Sequence, residues 1–211
     1  MAEAEPGGPG PPEGRVFPPR LALATKNPGK VREILRICSD WPTEWVTFGR
    51  ASWEDVQEIG ETYLDNALAK ARAVAATLGL PAVADDSGIE VDALEGRPGV
   101  HSAYLAGGRA NDLDNLRLLI RLVAEVPDER RTARYRCVAA CAWPDGREVW
   151  AEATCEGRQV LEPRGENGFG YDPMFVPDEG RDALTMAELE DDEKDRISHR
   201  GKALRALRAL L

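Results

Sequence analysis

A short apolar run, Leu21-Ala22-Leu23-Ala24-Thr25, is followed almost at once by Asn27 and Pro28. This junction constrains the fold more than any other stretch. The run reads as a buried strand. Asn27 is a favoured helix N-cap, and Pro28 suits the first helical position. Val31, Ile34, Leu35 and Cys38 then recur at helical spacing. A strand that delivers the chain straight into a helix opens an α/β layer structure. The remaining pattern agrees. Glu44 to Phe48 reads as a strand. Tyr63 to Leu78 reads as a helix, with Leu64, Leu68, Ala71, Val74 and Leu78 on one side and Gly79 and Pro81 as its stop. Ala82-Val83-Ala84 reads as a buried strand that ends at Asp85, with Ile89 and Val91 opening another. Asn111 to Glu125 is expected to be helical, with Leu113, Leu116, Ile120 and Val123 inward. Thr132 to Trp143 and Glu148 to Gly157 alternate around Pro144-Asp145-Gly146, a hairpin signal. Thr185 and Glu188 suggest a capping box, and Ser198 a cap for a last helix burying Leu204, Leu207 and Leu211. Early alternation and a late antiparallel pair together predict α/β with a mixed sheet.

Residues 1 to 19 hold six Pro and four Gly and read as a disordered tail. A single folded unit is expected over residues 20–211, sized for one domain or one domain with two lobes. No apolar run approaches the ~18 residues that span a bilayer. The N-terminus has no basic and apolar leader, so the expected compartment is the cytoplasm, without a membrane partner. The net charge of −10 speaks against a nucleic-acid partner. It requires any bound anion to meet locally gathered cations or a metal. Cys38, Cys137, Cys141 and Cys155 form no C-x-x-C and read as buried free thiols. Of 27 basic residues only five are lysine, namely Lys26, Lys30, Lys70, Lys194 and Lys202. Lysine and arginine differ as ligands, so each of these five draws notice.

Four segments can carry chemistry. Thr25-Lys26-Asn27-Pro28-Gly29-Lys30 places a helix N-terminus, a glycine and an ammonium together, which suits phosphate, although an ordinary strand-to-helix turn has the same shape. Asp85-Asp86-Ser87-Gly88 offers hard oxygen ligands of the kind Mg²⁺ takes, with only one carboxylate of the pair on each face; a polar turn is the plainer reading. Asn167-Gly168-Phe169-Gly170-Tyr171-Asp172-Pro173 offers ring faces for a base, or simply half-buried aromatics. Lys194 to Arg200 gathers several donors ahead of an apolar helix, with no spacing that suits a Ser/His hydrolase.

Together these segments resemble the inosine triphosphate pyrophosphatase family. Its T-x-N-x-x-K turn, A-D-D-S-G, F-G-Y-D-P and S-H-R occur in that order, with Pro98-Gly99 and Asn66-Ala67 between, over Leu21 to Leu207. The resemblance implies an elongated mixed sheet flanked by helices, with two lobes around a central nucleotide-binding cleft, in a homodimer. It implies hydrolysis of purine nucleoside triphosphates such as ITP, dITP and XTP to monophosphate and pyrophosphate, with Mg²⁺ as cofactor. Thr25, Lys26, Asn27, Pro28, Gly29 and Lys30 would meet the triphosphate. Glu58 and Asp86 would bind the metal, with Asp86 also activating water, and Ser87 would touch phosphate. Phe169 and Tyr171 would flank the base, Gly170 and Asp172 would complete the pocket, and Lys194, His199 and Arg200 would read the purine edge. Tyr104 stands where the family often has Arg, and Gln57-Glu58-Ile59-Gly60 replaces its E-E-T-G. A Maf-like pyrophosphatase is the nearest alternative enzyme. A nucleotide sensor without turnover is the alternative outside catalysis, and the carboxylates Glu58 and Asp86 argue against it.

Overall fold

The computed structural model describes residues 5–7 and 16–211, apart from 58, 109 and 181. The strands are β1 (Glu5–Gly7), β2 (Arg20–Leu23), β3 (Glu44–Val46), β4 (Ala82–Val91), β5 (Thr132–Ala142), β6 (Glu148–Gln159) and β7 (Phe175–Pro177). The helices are α1 (Pro28–Ile37), α2 (Tyr63–Leu78), α3 (Asp112–Val123), α4 (Asp191–Ile197) and α5 (His199–Arg208). The sheet order is β1-β6-β5-β4-β2-β3, with β7 also pairing β6. β2 is parallel to both β3 and β4, whereas β6 is antiparallel to β1 and β7. The expected mixed α/β sheet is therefore what the chain forms.

Two compact units divide the chain. The first comprises residues up to Asp86, Cys137–Ala153 and Arg200–Leu211. Leu21, Leu23, Ile34, Val83, Leu204 and Leu207 lie in its main core, and Ala22, Trp53, Ala71 and Ala84 in a smaller cluster. The second unit comprises Ser87–Arg136 and Thr154–His199, with Ile89, Leu116, Leu119, Met174, Phe175 and Leu189 in its core. All four cysteines are buried free thiols.

Several expectations change in detail. β4 runs unbroken through Asp85 and Asp86, where a turn between two short strands was expected. Cationic partners, described below, let carboxylates sit inside a buried strand. α3 is capped by a reciprocal Asn111–Asp114 box, and it buries Leu116, Leu119 and Val123 while Leu113 is exposed. Leu113 lies in the first turn, one position off the buried stripe. No helix starts at Thr185. The Glu188 carboxylate accepts the Thr185 N–H at 2.8 Å, but the Thr185 hydroxyl donates to the Arg164 carbonyl, so the motif closes a turn. Within the segment read as a tail, Glu5–Gly7 pairs with β6, and Phe17 packs edge-on to Trp41 at 5.5 Å.

Candidate functional site

The polar residues of interest fall into two groups, one in each unit. In the first unit, β2 ends at the Thr25 turn and α1 begins at Pro28. Asn27 caps the helix as expected. Its Oδ1 accepts the N–H of Gly29 at 2.8 Å and of Lys30 at 3.1 Å, so these amides, expected to face an anion, are engaged within the turn. The ammonium of Lys30 is the remaining cation of the turn's helical end, and it lies 3.2 Å from Asp85 Oδ2. Lys26 is exposed and pairs with Asp55 at 2.7 Å, over the ring of Phe48.

Asp85 and Asp86 are 1% and 4% exposed, so neither carboxylate could remain charged without compensation. Alternation along β4 sends them to different partners. Asp85 Oδ2 accepts from Arg200, at 3.1 Å, and faces Lys30. Arg200 also donates to Glu33 at 2.5 Å. Burial would raise the Asp85 pKa, but Lys30, Arg200 and Lys70 outweigh it and hold the carboxyl well below the usual range. Burial likewise opposes the Arg200 charge, and Asp85 and Glu33 more than restore it. Cys137 lies 4.0 Å from Asp85, and burial followed by that negative charge pushes its thiol up.

Asp86 is served from α2. Asn66 and Lys70 are four residues apart, hence on one helix face. Lys70 Nζ is 3.0 Å from Asp86 Oδ1, and Asn66 Nδ2 is 3.2 Å from Oδ2. Asn66 Oδ1 in turn accepts the Gly60 N–H at 2.9 Å. A Cβ on Gly60 would meet that oxygen at 2.7 Å, so only glycine permits the approach. Glu58 lies outside the described residues.

In the second unit Asp172 is the hub. Its Oδ2 accepts from Lys194 Nζ at 2.6 Å and from the Phe169 N–H at 2.8 Å, and its Oδ1 accepts from the Tyr135 hydroxyl at 3.3 Å. Gly168 adopts φ +74°, and a Cβ there would strike Asp172 and come within 2.7 Å of Lys194 Nζ. Phe169 and Gly170 are half-buried, and the Gly170 N–H donates to Asp112. Tyr171, expected beside Phe169 as a stacking face, is instead 6% exposed in the core. Its hydroxyl donates to the Ser102 carbonyl at 2.7 Å. Burial, with Asp112 adding to it, raises its phenol pKa. His199 stacks on Tyr135, and Ser87 is half-buried in β4.

Lys194 and Arg200, expected to act together on a purine edge, thus have different carboxylate partners: Asp172 for the first, Asp85 and Glu33 for the second. Three participants escaped the sequence reading. Lys70 had a signal in the scarcity of lysine. Glu33 had one in its position about a turn beyond Lys30, on the same side of α1. Tyr135 had none, because an inward aromatic on a strand reads as core.

The first unit thus holds a capped strand-to-helix turn bearing Lys30 and a cation-matched carboxylate pair, and the second a glycine-bounded aromatic loop, all on an α/β fold. The Ham1 family model matches residues 21–210, and the chain belongs to that family. A dITP/XTP pyrophosphatase of Symbiobacterium thermophilum is 52% identical over 185 residues, covering 88% of this chain and 91% of the relative. One from Cutibacterium acnes is 49% identical over 191 residues, covering 89% and 94%. Among solved structures, a HAM1 protein from Coxiella burnetii aligns with TM-score 0.79 at 37% identity, covering 90% of this chain and 96% of that one.

Proposed function

We propose that this chain hydrolyses non-standard purine nucleoside triphosphates, dITP, ITP and XTP, to the monophosphate and pyrophosphate. The observation that carries the reading is the convergence of Lys30, Lys70 and Arg200 on Asp85 and Asp86 in a chain of net charge −10. Cations gathered this way suit a polyphosphate. Close relatives named for this activity support it.

The residues divide the work. Lys30 neutralises charge on the departing pyrophosphate. Asp86 accepts the proton of the attacking water, and Lys70 and Asn66 fix the orientation of its carboxylate. Asp85 holds Lys30 in place and is itself held by Arg200. Phe169 supplies the stacking face, and Lys194 and His199 the edge contacts. The donor set fits Mg²⁺, because one or two carboxylates plus substrate phosphates suffice for that ion. Asp86 and Glu58 would hold the ion, which supplies charge neutralisation on the phosphate oxygens when bound.

Pyrophosphate release tests the reading. ITP, dITP and XTP should be turned over with Mg²⁺ and not with EDTA, and ATP and GTP far less well. Equal turnover of all five would overturn the base preference, and full activity in EDTA the metal. A homodimer in the cytoplasm completes the proposal; a monomeric mass by light scattering would remove its first half. No helix among the described residues is long and apolar enough to cross a membrane.

A further inference from the structure

Tyr135 sits on β5, and its two ends do different things. Its ring lies parallel to the imidazole of His199, with an interplanar angle of 8° and centroids 4.6 Å apart. Its hydroxyl reaches Asp172 Oδ1 at 3.3 Å. The other oxygen of that carboxylate carries Lys194 and the Phe169 N–H. One side chain therefore touches both His199 and the carboxylate that holds Lys194 and the Phe169 N–H. All four side chains of this chain of contacts are buried: Tyr135 is 7% exposed, His199 5%, Asp172 4% and Lys194 4%. Phe175 braces the Tyr135 ring edge-on at 4.7 Å, which fixes the plane that His199 must share.

We propose that Tyr135 is a positioning residue for base selection, setting the imidazole plane of His199 with its ring and the Asp172–Lys194 pair with its hydroxyl. The proposal rests on the base-recognition role given above to Lys194 and His199. The reason the two ends matter separately is geometric. A hydrogen bond to a base edge weakens steeply with misalignment, so a donor must be held in plane to select. Stacking restrains the tilt of the imidazole but leaves it free to slide, whereas the bond to Asp172 leaves tilt alone and fixes the carboxylate. Loss of the hydroxyl should loosen Lys194, and loss of the ring should release His199 as well.

Two variants separate these effects, and the composition supplies a clean probe. The chain has two histidines, and the other, His101, is exposed. The carbon-bound ring protons of His199 in an NMR spectrum of the full chain should be displaced by the Tyr135 ring current, with His101 as internal reference. In Tyr135→Phe that displacement should persist, while the ratio of ITP to ATP turnover efficiency falls several-fold. In Tyr135→Leu the displacement should vanish and the ratio should fall about tenfold or more. If both variants slow every nucleotide by one common factor, or match the wild type on all of them, Tyr135 only fills the core and the proposal is overturned. A His199 signal that does not move in Tyr135→Leu overturns the ring's part. Wild-type protein that releases no pyrophosphate from ITP is a different failure, of the activity reading, and takes the selective role of Tyr135 with it.

Discussion

Asp86 and Asp85 are sequence neighbours with opposite dependencies. Asp86 is held by Lys70 and Asn66 from one helix, an arrangement that would fix the orientation of the base proposed above. Asp86→Asn keeps the shape and loses the proton acceptor, so ITP turnover should fall at least about 10²-fold while triphosphate binding persists. Calorimetric titration beside a pyrophosphate assay checks both halves. Arg200 is the counterweight to Asp85 and Glu33, and its removal strands two buried carboxylates. Arg200→Ala should cost ~3–5 kcal/mol, the usual effect of breaking a buried pair from one side. A thermal melt should then fall by roughly 10 °C. Asp85 also gives a pH signature. Its folded pKa is depressed, so its stabilising pairing is complete above about pH 4, the ordinary carboxylate value, and is lost as pH falls below it. Melting temperature followed from pH 7 to pH 3 should drop more steeply for wild type than for Asp85→Asn at the acid end. Of these roles, the identity of the acidic pair was plain in Asp85-Asp86-Ser87-Gly88, and so was the suspicion that falls on lysines. Which cation serves which carboxylate was not, because Lys70 and Arg200 lie 16 and 115 residues away in sequence and local spacing carries no trace of that.

At the scale of elements, the boundaries that depend on local chemistry were legible. Tyr63–Leu78 ends at Gly79 in the left-handed conformation, as its stop signal required, and Asn27 caps α1. Boundaries that depend on tertiary compensation were not. A run of Asp-Asp-Ser-Gly looks like a turn until partners make it a strand, and Thr185 with Glu188 looks like a helix start until Arg164 claims the hydroxyl. The loop from Asn167 to Asp172 is the element most sensitive to a small change. Gly168 has positive φ, and the space beside its Cα is filled by Asp172 and Lys194. Gly168→Ala should push the loop off both, raising the KM for ITP about tenfold or more with a small effect on the melt. Steady-state kinetics with a parallel melt distinguishes this from general unfolding, which would lower both together.

For the whole molecule, two lobes were among the expectations, but which segments build each unit was not legible, since each is assembled from segments far apart along the chain. The point at which folding begins was also placed late. Phe17 already packs on Trp41 in the first unit's core, so deletion of residues 2–19 should lower the melting temperature by several degrees, as the loss of an aromatic pair worth about 0.5–1.5 kcal/mol and its buried area implies. Deletion of residues 2–15 leaves that pair in place, and comparing the two melts isolates its share. The distribution of lysine has a last consequence, for chemistry done on the protein from outside. Three of the five lysines, Lys30, Lys70 and Lys194, are 15% exposed or less at their side chains and sit against carboxylates. Arginine does not acylate under mild conditions. Among its lysines, amine-directed tags, crosslinkers and coupled resins will therefore attach mainly through Lys26 and Lys202, so that an immobilised preparation presents itself in a few orientations rather than many.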